Sequence, residues 1–379
     1  MAGTVSRRGR HRLDRTVCSV HLRRSFTPRP TVGTAARAGL LALAAIRIGR
    51  GARRAAPIRA GAATRDVTVV VPARDEADRI GPCLRSLIAS GATVLVVDDG
   101  STDATRAVAE AAGARVIDAG PLPPGWAGKA HALHVGLEAA DTRVVVAVDA
   151  DCRAEPGFVA AVADALGDRI LVTGAVAVAN PDPTGRLVHA SMLATLLYRL
   201  GPPGVAARHP ARVMANGQCM VFDRAAVLAA GGFEPVAGSL VEDVALARHL
   251  ASQGAQVAFL DATSVLTVEG YGGGAATLRG WGRSLALADV TSAPWLIADV
   301  AVVWSTMVLP LPRLLAGRGD AVDLAALGLR AGVVAATAPA FRPRGLPIVL
   351  APLADVVVAA RLTAGALRPS RSWRGRDYA

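Results

Sequence analysis

From Asp66 onward, short runs of apolar, β-branched residues alternate with segments whose apolar positions recur every three or four residues. That alternation is the signature of a largely parallel sheet covered by helices. A first strand is predicted over 67–71, stopped by Pro72, and Ile80, Cys83, Leu84, Leu87 and Ile88 then predict an amphipathic helix ending near Gly91. A second strand over 93–97 leads to a helix running through Ala112, with Ser101, Thr102 or Asp103 as N-cap, and a third strand follows over 115–117. Pro121, Pro123 and Pro124 mark a loop before a helix that begins after Gly128, and a fourth strand is predicted over 144–148. Beyond it come a helix over 158–166, a strand over 170–178, an amphipathic segment over 187–200, a strand over 219–222 and a helix over 241–251.

At Leu296 the texture changes to three long apolar stretches, about 296–315, 321–340 and 346–367. Each reaches the ~20 residues that a bilayer crossing needs. Asp299, Asp323, Arg330, Asp355 and Arg361 lie inside them, where a mid-bilayer charge costs at least ~3 kcal/mol on insertion scales. Asp323 and Arg330 are seven residues apart on one helix face, so these opposite charges can meet inside a small bundle. The competing reading is a set of soluble, alanine-rich helices capping the domain. Arg313, Arg318, Arg342, Arg344 and the tail 368–376 put basic residues between every pair of stretches, so charge asymmetry fixes no topology. The expected organisation is a basic, disordered leader over 1–64, an α/β domain over 65–290, and a hydrophobic helical region over 291–379 with two or three transmembrane helices.

Composition changes this picture in one respect. The formal net charge of +12 invites a nucleic-acid partner, but residues 1–54 hold 13 arginines and one aspartate, leaving 29 basic and 29 acidic residues in the remainder. The folded part is electrically balanced, and aromatic residues make up only 4% of the chain, too few for base-stacking platforms. Nucleic acid is excluded as the expected partner. The leader reads as a tail, as an anchor on anionic lipid, or as an extension ahead of the functional start; its apolar run over 38–46 is too short and too arginine-bounded for a signal peptide. Cys18, Cys83, Cys152 and Cys219 stand far apart with no Cys-x-x-Cys pair, so neither a zinc site nor a disulfide framework is indicated and a reducing, cytosolic face is the default.

The candidate chemistry lies at two strand ends. Asp98-Asp99-Gly100-Ser101 closes the second strand and Asp149-Ala150-Asp151 closes the fourth, and right-handed crossovers carry both to one edge of the sheet, where open sheets bind ligands. Paired carboxylates there repel unless a cation or a donor-rich ligand answers them. Along an extended chain Asp149 and Asp151 point to one side and suit a Mg²⁺ or Mn²⁺ ion neutralising a diphosphate, while Asp98 and Asp99 are placed to accept hydrogen bonds from a base or ribose. Asp-x-Asp alone is more often a solvated turn; two acidic strand ends in one sheet carry more weight. Glu242-Asp243 opens a helical pattern, where acids stabilise the dipole without further function or take a proton from an acceptor hydroxyl. Lys129 is the only lysine among 42 basic residues, a compact ammonium behind Gly128 that can follow a phosphate. Arg279 and Trp281 offer a cation and an indole that close over a donor or sit at a membrane interface.

In order and spacing, VVVPARDEADRI, DDGSTDAT, the DAD triplet and VEDVALARHL resemble the family 2 glycosyltransferases of the GT-A fold, over about residues 67–288. PPGWAGKAHAL and ANGQCMVFDRAAVLAAGGF resemble the membrane-bound hopanoid-associated and carotenoid subgroups. The resemblance implies that Pro72, Asp98, Asp99, Lys129, Asp149, Gln218, Arg279 and Trp281 bind substrate, that Asp149 and Asp151 hold the metal, and that Asp243, beside Glu242, is the base. It further implies an inverting single displacement that moves one sugar from a nucleotide-diphosphate sugar to a hydroxyl of a lipid or isoprenoid-like acceptor, at the inner membrane with the catalytic domain facing the cytoplasm. Gly280 precedes Trp281, and Thr277 stands four residues before it, in place of the Gln-x-x-Arg-Trp element of processive members. This argues against long-polymer synthesis. The alternatives are a catalytically silent membrane scaffold that keeps the fold, or a nucleotidyltransferase on a similar sheet.

Overall fold

The computed structural model describes residues 1, 3, 32–61, 66–369, 372–373 and 376–377. Helix α1 (Val32–Gly49) precedes the α/β domain. There follow β1 (Val67–Ala73), α2 (Ala77–Ala89), β2 (Thr93–Asp98), α3 (Thr105–Ala111), β3 (Arg115–Asp118), α4 (Gly128–Ala139) and β4 (Val144–Val148). The second half runs through β5 (Cys152–Ala154), α5 (Phe158–Leu166), β6 (Leu171–Ala175), β7 (Ala177–Ala179), α6 (Pro183–Leu200), β8 (Cys219–Asp223), α7 (Arg224–Ala229) and α8 (Glu242–Ser252). Strands β9 (Val257–Asp261) and β10 (Leu266–Glu269) and helix α9 (Gly274–Gly280) close the domain. The C-terminal region comprises α10 (Ala293–Val303), α11 (Pro310–Leu315), α12 (Ala321–Thr337), a strand β11 (Phe341–Arg342), α13 (Leu346–Val349) and α14 (Asp355–Leu367).

The main sheet has the order β3-β2-β1-β4-β8-β6-β9. It is parallel except at β8, which runs antiparallel to both β4 and β6. Period-two alternation buries both faces. Val69, Val71, Val96, Val146 and Val148 belong to the core shared with α2 and α5, and Val70, Leu95, Val97, Val145 and Ala147 to the core shared with α4 and α8. The second face is close: a Cβ added to Gly136 of α4 would lie 2.4 Å from Val70 Cγ1. A smaller sheet, β11-β7-β10-β5, flanks the main one.

Several expectations are corrected. Pro72 does not stop the first strand; it lies inside β1 opposite Val97, and pairing continues to Ala73 opposite Asp98. Helix α3 starts behind Ala104, because the Asp103 carboxylate is engaged by the backbone N–H groups of Thr105 and Ala77. The single strand expected over 170–178 is two, β6 in the main sheet and β7 in the small one. The leader expected to be a disordered tail is helical over 32–49, with Ala44 buried; its residues 4–31 lie outside the described residues.

The apolar C-terminal stretches are helical but interrupted. The first changes to a π-turn over Trp304–Val308 before Pro310, and the third changes to a 3₁₀ turn over Ala351–Ala354. Two helices, Val32–Arg53 and Ala321–Ala340, are long and apolar enough to cross a membrane. The expected meeting of Asp323 with Arg330 does not occur. Arg330 donates to Asp355 through Nε and Nη2, both at 2.8 Å, and Asp323 instead pairs with Arg37 and, at 3.1 Å, with Arg313. Asp299 is held by Arg212 at 2.8 Å and Arg199 at 3.3 Å. Seven residues place two side chains on one face, but which charge each meets depends on the helix packed opposite.

Candidate active site

A cavity of about 270 Å³ opens where β1 and β4 end. Pro72 and Ala73 form its floor, with Asp99 on the side toward β2, and Asp149, Ala150 and Asp151 on the turn after β4. Lys129 enters from the first turn of α4, and Gln218 from the approach to β8. Parallel register brings these together: Ala73 lies opposite Asp98, and the Asp99 N–H donates to the Ala73 carbonyl at 2.9 Å. Asp98 itself is buried behind the cavity, accepting from the Ser101 N–H at 3.0 Å and facing Arg106 at 3.5 Å.

Lys129 is the electrostatic centre. Its ammonium lies 2.8 Å from Asp149 Oδ1 and 3.1 Å from Glu242 Oε1. Burial pulls Lys129 toward losing its proton, yet Asp149 and Glu242 outweigh that and hold its pKa well above the ordinary lysine value. Burial pushes Glu242 up to about 7 despite the pull of Lys129. Asp243, next along α8, is also raised by burial; its carboxylate accepts from the Gly217 N–H at 2.7 Å and the Val244 N–H at 2.8 Å.

Asp151 is pushed up to about 7 by burial and by the negative charges of Asp149 and Glu76, with Arg79 opposing from 4.0 Å. A carboxylate whose charge is this poorly answered is a fitting partner for a cation. No group of three or more His, Cys, Asp or Glu side chains converges as a metal cage among the described residues. Two carboxylates therefore fit a divalent ion that takes its other ligands from phosphate oxygens and water, the usual habit of Mg²⁺.

The sequence-predicted residues thus divide. Pro72, Asp99, Lys129, Asp149, Asp151 and Gln218 share the cavity; Asp98 supports its wall, and Glu242 and Asp243 adjoin it through Lys129 and Gly217. Arg279 and Trp281 do not line it. Arg279 is exposed on α9, and the Trp281 indole packs on His189 with ring centroids 4.3 Å apart. The cavity is completed by Arg74, Glu76, Arg79, Tyr271 and Arg283, which the reading of single residues passed over. Arg74 and Glu76 sit in the turn after β1, Arg79 in the first turn of α2, and Arg283 two residues past the indole. Nothing local to Tyr271 signals its role, since it arrives from the loop after β10.

A mostly parallel sheet with acids at its carboxyl edge and a cation between them is a ligand-binding α/β architecture. The family described as "Glycosyltransferase like family 2" matches residues 64–277, and the chain belongs to it. Among curated proteins, the chain is 42% identical over 90 residues to a 4,4'-diaponeurosporenoate glycosyltransferase of Staphylococcus aureus strain RF122, covering 23% of this chain and 24% of the relative. It is 43% identical over 88 residues to the enzyme of the same name from strain USA300, covering 22% and 24%. The matches thus span about a quarter of those relatives' length. A solved mannosyltransferase from Pyrobaculum calidifontis, in complex with GDP-Man and Mn²⁺, is similar in fold, with a TM-score of 0.53 at 20% identity over 88% of this chain and 96% of that one.

Proposed function

We propose that this family 2 glycosyltransferase moves a single sugar from a nucleotide-diphosphate sugar onto a hydroxyl of a lipid-like, carotenoid-type acceptor, working at a membrane. The observation that carries the reading is Lys129 bridging Asp149 and Glu242 in the cavity that also holds Asp99 and Asp151. Asp98 and Asp99 hold the nucleoside, the first by shaping the turn and the second in the cavity wall. Asp149 and Asp151 would hold a Mg²⁺ or Mn²⁺ ion, which when bound supplies Lewis-acid stabilisation of a departing diphosphate. Lys129 adds a fixed positive charge where negative charge collects on the leaving group.

Asp243 serves as the base. Its raised pKa suits proton uptake, and two backbone N–H donors fix its orientation while leaving lone pairs for an acceptor hydroxyl. Glu242 holds Lys129 from the far side. Direct displacement by the acceptor inverts the anomeric centre and needs no covalent enzyme intermediate. The carotenoid-type acceptor is supported by the Staphylococcus aureus relatives' names, and a membrane location by the apolar helices.

The test is a donor screen of the purified enzyme against membrane lipid extracts, with products identified by mass. One added hexose on a lipid acceptor, dependent on Mg²⁺ or Mn²⁺, is the expected result. No sugar transfer together with no nucleotide-sugar binding by calorimetry would favour a silent scaffold.

A further inference from the structure

We propose that Asn216 is a positioning residue that holds the Gln218 carboxamide with its N–H group toward the cavity, where Gln218 donates a hydrogen bond to an oxygen of the bound nucleotide sugar. This deepens the reading of the cavity as a donor site and rests on it. The first observation is how fully the Asn216 side chain is used. Asn216 opens the turn Asn216-Gly217-Gln218, which leads into β8. Its Nδ2 donates to the Gly174 carbonyl of β6 at 3.0 Å and to Gln218 Oε1 at 3.2 Å. Its Oδ1 accepts from the Gln218 backbone N–H at 3.2 Å.

These partners fix which way each amide faces. A backbone carbonyl only accepts and a backbone N–H only donates, so the Gly174 carbonyl and the Gln218 N–H leave the Asn216 carboxamide one orientation. Its nitrogen therefore faces Gln218. Gln218 must answer with its oxygen, since two NH₂ groups in contact would leave both donors unmatched. The Gln218 Nε2 is thereby turned away from Asn216. Among the described residues it has no hydrogen-bond partner, and Gln218 lines the cavity, so an unused neutral donor is presented there.

The third observation is what surrounds that donor. Glu76, Asp99, Asp149 and Asp151 line the same cavity, so acceptors for the O–H groups of a sugar are plentiful. Gln218 is the one carboxamide among the lining residues. It also stands beside the groups proposed to react: a Cβ on the neighbouring Gly217 would lie 2.9 Å from the Lys129 ammonium, and the Gly217 N–H donates to Asp243 at 2.7 Å. An amide N–H at this point meets an oxygen with lone pairs, on the transferred sugar or on the diphosphate behind it. Held in the opposite sense, Gln218 would turn its carbonyl oxygen to a ligand rich in oxygen, and the hydrogen bond to an acceptor oxygen would be lost.

The experiment is calorimetry on the full chain with Mn²⁺, using UDP-glucose, GDP-mannose, UDP and GDP as probes, for Asn216→Asp, Gln218→Met and the double variant. Asn216→Asp keeps an oxygen for the Gln218 backbone N–H, and so keeps the turn, but has no N–H for Gln218 Oε1. Each single variant should weaken nucleotide-sugar binding by about 3- to 10-fold, the size of one neutral hydrogen bond. The double variant should match Gln218→Met within about twofold, because Asn216 acts through Gln218. Loss confined to the sugar-bearing probes assigns the oxygen to the sugar; equal loss with UDP or GDP assigns it to the diphosphate. Unchanged binding by Asn216→Asp, or losses that multiply in the double variant, overturns the positioning role, and unchanged binding by Gln218→Met overturns the hydrogen bond. If Asn216→Asp does not fold, Gln218→Glu carries the test. Asn216 then holds one carboxylate oxygen and the other meets the ligand, so affinity should fall; wild-type affinity overturns the assigned sense. A wild-type chain that binds none of the four probes defeats the donor-site reading itself, which is a separate failure.

Discussion

Lys129 and Glu242 lie 3.1 Å apart, joining the start of α4 to the start of α8 across the mouth of the sheet. The chain's only lysine thereby ties Asp149, on the proposed metal side, to the helix that carries the proposed base. Replacing it should lower donor kcat/KM by about 10²-fold or more, as loss of a preorganised charge at a leaving group does. Lys129→Arg should not restore the rate, because the longer, planar guanidinium does not fit where a compact ammonium sits between Asp149 and Glu242. Steady-state kinetics of Lys129→Met and Lys129→Arg against donor concentration check this; a Lys129→Arg enzyme of normal rate would refute it.

Asp151→Ala should remove metal-dependent donor binding. Calorimetric titration of the nucleotide-sugar with and without Mn²⁺ reads it directly, and an unchanged affinity in the presence of metal would reassign the residue.

Asp243→Asn should separate binding from chemistry. Asparagine can keep one backbone hydrogen bond but cannot take a proton, so donor affinity should stay near normal while turnover falls about 10²–10⁴-fold. Retained turnover would exclude Asp243 as the base.

The raised pKa of Glu242 predicts a pH effect on stability. In the folded chain it binds a proton up to about pH 7, whereas in the unfolded chain it releases it near the ordinary glutamate value. Its protonation therefore favours the fold at low pH, and that contribution is lost as pH rises through 7. Glu242→Gln removes this term, so the melting temperature of the wild type should fall relative to the variant between about pH 5 and 7. Parallel melting curves over that range would show that Glu242 is charged in the fold.

Gly136→Ala should destabilise the sheet by about 1–3 kcal/mol, the usual cost of overpacking. The new Cβ would sit 2.4 Å from a methyl of Val70, a stiff, buried, β-branched side chain that cannot swing away. Chemical denaturation measures the loss.

Much of the α/β half was legible because its signals are local. The strand over 144–148 and the helix over 158–166 appear with the boundaries that periodicity assigns, and two acidic strand ends announce a ligand edge. The break between β6 and β7 was not legible, since one apolar run serves equally as one strand or as two in different sheets. Tyr271 and Arg283 reach the cavity only by long-range packing, and Trp281, conspicuous in the sequence, turns instead to His189.

By itself, the sequence determined the succession of strands and helices from β1 to β4, the family, and the acids delivered to the sheet edge, because side-chain period and strand termination act over a few residues. Tertiary structure decided which charge meets which: Lys129 with Glu242, and Arg330 with Asp355 instead of Asp323. It also decided which face of each apolar helix is bare. Coulomb attraction and burial depend on distance in space, and only the packed chain sets those distances.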